Sequence, residues 1–523
     1  MNSPPNLIYF AIFAIFGSKE NWKLKTSEVF VMDSSSNRVS NSNTIPLCGE
    51  CHQHWRNSKE LIQKIISATT TPAYIYSEEL INRRIKCIKK QVMNTPEVKN
   101  NEIKIFFSLL SNSNPYILKS IRNSGIDGFV VTSQGEYYCA TQAGAKNHEM
   151  ILSFIGLTED DLDIFDRNFR AVSDDEYPII MVNSINQAKL ITENTAKLTT
   201  EGIIKYPWLS KIKYGFRIKL NDDLLPNKIN TDNFADYLGQ SSRMGIPEEN
   251  FETVFKLFKD KKIEKRIKGI YTYIGANITS KEENTYFSVI KRLFEVLAEY
   301  ENEHQISFDF INIGGGFGIP YDHKGVREFD FKKLSSKLTA LLSKTRSNKS
   351  VYIEPGAYII APSAVLVTKI IDKKDEKNNH FLVTDTSYSV FARPFIYKDK
   401  AKHKVIIIPG GAHTSKGTYF KKTSKIHIVG CSMAVSDFIR KNMNSQDFEY
   451  LDEDTNVDDI LLIMDAGAYG YTMSSNYGGF VKPAEVLISK DGKIELIRER
   501  EELNDLVKRV PLATKTIELS DKL

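Results

Sequence analysis

At 523 residues the chain is too long for one ordinary domain and long enough for two or three. Hydrophobic residues make up 41% and charged residues 26%, a soluble globular balance, and a net charge of +5 without any basic stripe argues against a dedicated nucleic-acid binder. Five scattered cysteines, an odd number, exclude a disulfide framework and fit a reducing compartment, the cytoplasm.

The first element is the apolar run Leu7 to Gly17. It is too short to span a bilayer as a helix. It has neither a basic flank nor a small-residue cleavage site, so a strand or partner-packing segment is expected, with no membrane anchor and no signal peptide. Residues 33–45 are polar and turn-rich, a linker. Cys48 to His52 reads CGECH, the spacing of c-type haem attachment, and His54 nearby adds a zinc reading. Haem attachment of this kind needs export, and a closed zinc site needs distant ligands. A surface loop with free thiols, holding no metal, is the expectation.

From residue 71 short β-branched or aromatic runs alternate with amphipathic stretches. The runs are 103–110, 128–133, 151–156, 178–184, 215–220, 269–275, 308–315 and 350–356, and 281–303 is the plainest helical period between them. Eight βα units are what a (β/α)8 barrel requires. After residue 357 strand-like runs dominate, with VSDFIRKNM (435–443) the one helical period, so a separate, mostly antiparallel β domain is expected. The expected division is an N-terminal extension over 1–70 that contributes a strand to the β domain, a barrel over 71–357 and the β domain over 358–523.

Active-site residues of such a barrel sit at the C-terminal ends of its strands. The seventh run ends in Gly314-Gly315-Gly316-Phe317-Gly318, where backbone N–H groups can approach an anion closely, and phosphate is the natural ligand. A tight turn with no ligand is the alternative. Glu354-Pro355-Gly356 closes the eighth run; TPAYIYSEEL (71–80) precedes the barrel and NSNP (112–115) follows its first strand. The β domain carries Asp465-Ala-Gly-Ala-Tyr469-Gly-Tyr-Thr-Met-Ser-Ser-Asn-Tyr477 and Pro483-Ala-Glu-Val-Leu-Ile488.

In this order and spacing, from about residue 70 to about residue 500, these motifs resemble the pyridoxal-phosphate-dependent ornithine/diaminopimelate/arginine decarboxylases of fold type III. The 465–477 stretch is most similar to the diaminopimelate branch, which includes siderophore-pathway decarboxylases. The resemblance implies an alanine-racemase-like TIM barrel and a homodimer with shared sites. It implies a cofactor phosphate on Gly314, Gly315 and Gly316 with Tyr469 as a further contact. Glu354 would pair with the pyridine nitrogen and keep the ring an electron sink. Arg217 would lie near the ring. Arg393 and Tyr397 would match a substrate-carboxylate site, which suits a fixed guanidinium fork. Asp437 would match an acidic residue reaching into the neighbouring subunit's site.

Where the family signature has its cofactor-linking lysine, the aligned segment here is Phe107-Ser108-Leu109-Leu110-Ser111-Asn112, so the lysine position is Leu110. A hydrocarbon side chain cannot form the covalent link. The stacking histidine of the sixth strand becomes Tyr273, which still offers a ring face. A phosphate-binding serine becomes Ala276, the arginine after Glu-Pro-Gly becomes Ala357, and the proton-donating cysteine becomes Met433 in Gly430-Cys431-Ser432-Met433-Ala434, with Cys431 two residues away. Among substitutes, Lys104 lies six residues before Leu110, roughly 20 Å away at about 3.3 Å per residue. Lys219 shares the strand face of Arg217 and is the better candidate.

The expected function is that of a family member with a phosphate-type pocket that binds pyridoxal phosphate non-covalently and is inert or strongly impaired. The alternative is a live decarboxylase of diaminopimelate, polyamine or siderophore biosynthesis with a relocated lysine. The expected partners are a small amino acid or amino-acid conjugate and a second copy of the chain, or an intact paralogue in a mixed dimer.

Overall fold

The computed structural model describes residues 48–93, 103–169, 173, 176–220, 242–321, 325–345, 349–410, 425–443 and 455–511. Leu7–Gly17 and the 33–45 linker lie outside them.

Eight parallel strands close into a barrel. In chain order they are Ile103–Ser108, Gly128–Val131, Met150–Leu152, Ile179–Val182, Lys213–Lys219, Ile267–Tyr271, Phe310–Asn312 and Ser350–Ile353. Each begins within two residues of the start of one of the eight runs, and most end short of the run's last residues. The first pairs with both the second and the eighth, and the fourth with the fifth, so the ring has no free edge. The runs are mostly apolar because helices cover one face and the barrel core the other. Phe106, Val130, Ile151, Met181, Tyr271, Phe310 and Tyr352 fill that core, with the Phe310 and Tyr352 rings stacked 4.5 Å apart. The barrel floor is therefore solid packing, and any cavity must open at the strand ends.

Among the described residues the β domain is a second, nine-stranded sheet. Its spine is Ala364–Glu376, which pairs antiparallel with Asn379–Thr384, with Ile460–Ile463 and with Ala73–Ser77. Two pairings are parallel: Ala73–Ser77 with Ala484–Ile488, and Asn379–Thr384 with Lys425–Val429. The strand within TPAYIYSEEL, assigned from sequence to the barrel segment, thus belongs to the β domain. All five of its residues are buried, a pattern that leaves the choice of sheet open until partners are known.

The segment before it also differs from expectation. Helices α1 (Cys48–Asn57) and α2 (Lys59–Thr69) replace the loop expected there. Their apolar face, Cys51, Trp55, Ile62 and Ile65, packs on Val365, Val367, Ile406 and Ile408 of the sheet. Burying each isoleucine contributes about 2 kcal/mol. Trp55 Nε1 donates to the Pro362 carbonyl at 3.1 Å. The CGECH motif is therefore the start of a helix: Cys51 is buried, and buried His52 lies 2.9 Å from Asp465 Oδ2. A second correction concerns VSDFIRKNM. Phe438–Met443 is a strand, antiparallel to Lys425–Val429. A nine-residue helix is marginal by itself, and the open sheet edge supplies the backbone partners instead. Among the described residues no helix is long and apolar enough to cross a membrane.

Candidate functional site

One cavity of about 1220 Å³ opens at the C-terminal ends of the barrel strands. Its back wall is the junction of the seventh and eighth strands. Asn312, fully buried, donates from Nδ2 to Glu354 Oε1 at 2.8 Å, and its Oδ1 accepts the Gly314 N–H at 2.8 Å. The Gly314 carbonyl accepts the Glu354 N–H at 2.9 Å. Gly314 has φ 71° and Gly316 φ 83°, and a Cβ on Gly316 would stand 1.7 Å from the Gly275 carbonyl oxygen. Only glycine fits there. Gly315 and Gly316 line the cavity, whereas Gly314 acts behind them as the tie between strands.

Glu354 also lines the cavity but is only 5% exposed. Burial pushes its carboxyl up to about 7, against the pull of the Asn312 amide, the Arg217 charge and the Tyr271 hydroxyl. The Tyr271 hydroxyl stands 3.5 Å from Oε2, too far for a strong bond. A cationic ring N–H docked against this carboxyl would restore its ionised form.

The other walls bring most of the expected residues together. Arg217 sits 4.9 Å from the centre of the Tyr271 ring, with Nη2 3.1 Å from Met244 Sδ. Tyr273, Ala276 and Ala357 line the same space. Tyr469 lines it too, held by its N–H donating to the Ser111 carbonyl at 2.9 Å. Arg393 opens the short helix Arg393–Tyr397 and is 5% exposed. One of its Nη atoms donates to the Tyr321 hydroxyl, and the rings of Tyr321, Tyr397 and Tyr469 lie 4.4, 5.1 and 5.9 Å from its guanidinium carbon. Its Nε and other Nη are buried with no hydrogen-bond partner among the described residues. Such groups are rare unless something is meant to meet them.

The end of the first strand completes the cavity. In the turn that follows the strand, Leu109 points into the core with its N–H donating to Val130 O at 3.1 Å, while Ser108 and Leu110 face the cavity. Leu110 is 56% exposed there. Lys104 lies at the opposite end of this strand. Lys219 does not line the cavity; its Nζ donates to the Ser242 carbonyl at 3.0 Å.

Two expected residues stand elsewhere. Met433 is 97% exposed on a turn of the β domain. Asp437 does not reach outward: it is buried beneath that turn and accepts hydrogen bonds from the N–H and hydroxyl of Ser432. Burial raises its carboxyl above the usual range. Cys431 is partly buried, and that burial, with Asp437 beside it, pushes its thiol up to about 11, so it is held protonated.

Sequence reasoning missed Asn312, Tyr321, Arg243 and Lys398, of which the last three line the cavity. Asn312 had a signal: an amide two residues before the glycine run, at a strand end, is well placed to orient the glycine turn. Lys398 had a weaker one, its position directly after Arg393–Tyr397.

The comparisons agree with this geometry. Residues 78–361 match the family described as pyridoxal-dependent decarboxylase, pyridoxal binding domain. The chain is similar to diaminopimelate decarboxylase of Aquifex aeolicus, 26% identical over 448 residues (85% of this chain, 93% of that one). Its likeness to the Campylobacter jejuni enzyme is 26% over 440 residues (84% and 95%). Among solved structures, diaminopimelate decarboxylase from M. jannaschii in complex with L-lysine superposes with TM-score 0.70 at 22% identity, covering 86% of this chain and 94% of that one. The Helicobacter pylori enzyme with L-lysine superposes with TM-score 0.67 at 21% identity (86% and 98%).

Proposed function

Since the chain belongs to the pyridoxal-dependent decarboxylase family, we propose that it is a member whose cavity holds pyridoxal phosphate without a covalent tether and whose decarboxylase activity is lost or strongly impaired. The observation that carries this reading is Leu110, a hydrocarbon side chain half open to the cavity at the end of the first strand. The remaining walls fit the cofactor. Gly315 and Gly316, where a side chain would collide with backbone, would cradle the phosphate. Glu354, oriented by Asn312, would take the ring nitrogen, and Tyr273 would offer a face to the ring. Bound there, pyridoxal phosphate supplies an electron-withdrawing ring that stabilises a carbanion. The chain's own residues would then hold the ring, and Arg393 a ligand carboxylate. Neither Leu110 nor Met433 can exchange a proton or an amine with either one.

The same reading covers the partners: an amino acid or amino-acid conjugate in the cavity, and a second copy of the chain, or an intact paralogue, against the exposed Met433 and Val435 turn. The runner-up is a live decarboxylase with a relocated lysine. Lys219 is a poor candidate, being tied to the Ser242 carbonyl. Lys398 is the only lysine on the cavity wall among the described residues.

The test is equilibrium binding of pyridoxal 5′-phosphate against pyridoxamine 5′-phosphate to the full chain. An untethered pocket ignores the aldehyde, so the two affinities should agree within about threefold, less than 1 kcal/mol. A preference of about a hundredfold or more for the aldehyde means a covalent link and overturns the reading.

A further inference from the structure

Helix α1 stands ahead of the segment that matches the family, residues 78–361, and its buried face is not wholly apolar. His52 reaches across to Asp465 Oδ2 at 2.9 Å, and both side chains are buried. The other carboxylate oxygen, Oδ1, has no hydrogen-bond partner among the described residues. Burial works to raise the Asp465 carboxyl, yet His52, with His403 and Arg84 behind it, holds it below the usual carboxylate range. Those two other basic groups are committed elsewhere. Burial and the Arg393 charge push the His403 ring down to about 3, so it is neutral, and its Nδ1 already donates to the Met464 carbonyl at 2.7 Å. Arg84 is engaged with the Tyr358 carbonyl and with Glu328 Oε2. The Asp465 carboxylate therefore hangs on one side-chain donor, and α1 carries it.

Asp465 opens the turn that delivers Tyr469 to the cavity wall. Both residues have a left-handed backbone, φ 57° and 55°, which a non-glycine residue keeps only when its surroundings enforce it. Between them the turn has no slack. A Cβ on Gly467 would stand 2.0 Å from the Ile360 carbonyl oxygen. The Ala466 and Gly467 N–H groups donate to the Ala364 and Ala361 carbonyls at 3.0 and 3.2 Å. The far side of the turn grips the barrel: Asn112 Nδ2 donates to the Gly467 carbonyl at 3.2 Å, and the Tyr469 N–H to the Ser111 carbonyl at 2.9 Å. Ser111 and Asn112 follow Leu110 directly. Without His52 the carboxylate would be a buried charge with no donor, so the residue would have to swing toward solvent. Its φ would change with it, and the stiff turn would pass that change to Tyr469.

We propose that His52 is a positioning residue for the cavity: by holding the Asp465 carboxylate, helix α1 sets the Asp465–Tyr469 turn and the Tyr469 ring, so that docking of α1 and ligand binding are coupled. The inference rests on the pocket reading given above for its ligand. Coupling of this kind is reciprocal, so a ligand that needs the turn in place also holds α1 down.

The experiment combines calorimetric titration of the full chain with pyridoxamine 5′-phosphate and hydrogen exchange read by mass spectrometry. Three chains are compared: wild type, His52→Leu, which keeps the packing but has no donor, and His52→Gln, which keeps an N–H at similar reach. His52→Leu should weaken binding about tenfold, and His52→Gln should stay within about threefold of wild type. Without ligand, His52→Leu should speed exchange of peptides covering 465–474 about tenfold and leave those covering 310–316 unchanged. In the wild type, saturating ligand should slow exchange across 48–57, an arm that needs no variant to fold. Binding by folded His52→Leu within about twofold of wild type, a glutamine variant as weak as the leucine one, or wild-type exchange across 48–57 indifferent to bound ligand would each overturn the coupling and leave the pocket reading standing. If the wild type binds no pyridoxamine 5′-phosphate, the pocket reading falls. The ligand-free exchange of 465–474 then decides the clamp by itself, and an unchanged rate in His52→Leu overturns it.

Discussion

The two sides of the cavity mouth differ in what holds them. The junction of the seventh and eighth strands is a backbone construction: Gly314 and Gly316 have positive φ, Asn312 clamps both Gly314 and Glu354, and a single methyl on Gly316 would strike the Gly275 carbonyl. The end of the first strand is held by Leu109 in the core and the Leu109–Val130 backbone bond, and its cavity-facing residue, Leu110, makes none of that architecture. A side chain of that kind can be exchanged without disturbing the fold. The cradle cannot. A chain that ceases to need a nucleophile can therefore drop it and keep the cradle intact, and survival of the glycines is weaker evidence for chemistry than the identity of residue 110.

That contrast can be broken by three substitutions. The largest effect belongs to Gly316→Ala, which adds a backbone collision to a positive φ. It should cost about 4 kcal/mol, read as a fall in the urea midpoint, and abolish pyridoxamine 5′-phosphate binding. A stability loss under about 1 kcal/mol would mean the cradle yields as easily as the first strand.

Glu354→Gln comes next and carries a pH signature. The carboxyl lies near 7 in the fold against an ordinary 4.5, because burial favours its neutral form. Its folded value is raised, so its stabilising contribution is complete below about pH 4.5 and is lost as the pH rises through 7. The ligand-free wild-type chain should lose about 3 kcal/mol relative to the glutamine variant between pH 4.5 and 8. Urea titrations of both at pH 5 and pH 8 measure it, and parallel pH dependence would remove Glu354 as a strained acid.

The smallest effect is that of Leu110→Ala. A leucine already 56% exposed should cost less than about 1 kcal/mol when truncated, far below the 2–5 kcal/mol of a core leucine. A core-sized loss would show that Leu110 supports the architecture after all.

Much of the molecule is readable from the residues alone. The eight strands stand out because buried parallel strands are mostly apolar runs, ended by glycine or proline at Gly314 and Pro355. Glu354, Arg217, Arg393 and Tyr469 are legible because strand ends and motif order fix where they emerge. What stays hidden is partnership. Ala73–Ser77 reads as a strand without saying which sheet receives it. Helix α2 carries the helical spacing in Ile62, Ile65 and Ile66, but the polar stretch before it masks where a helix could begin. Phe438–Met443 is a strand because an edge was waiting for it. Asp437 turns inward rather than outward, and that turn depends on the Ser432 hydroxyl, a contact no spacing announces.

The measurement that bears most directly on the central claim is borohydride trapping. Wild-type chain and Leu110→Lys, each saturated with pyridoxal 5′-phosphate, are reduced, digested and mapped by mass spectrometry. The expected result is no modified peptide from the wild type beyond sparse surface labelling, and stoichiometric modification at residue 110 in the variant. Stoichiometric modification of any lysine in the wild-type chain, Lys219 and Lys398 included, would contradict it.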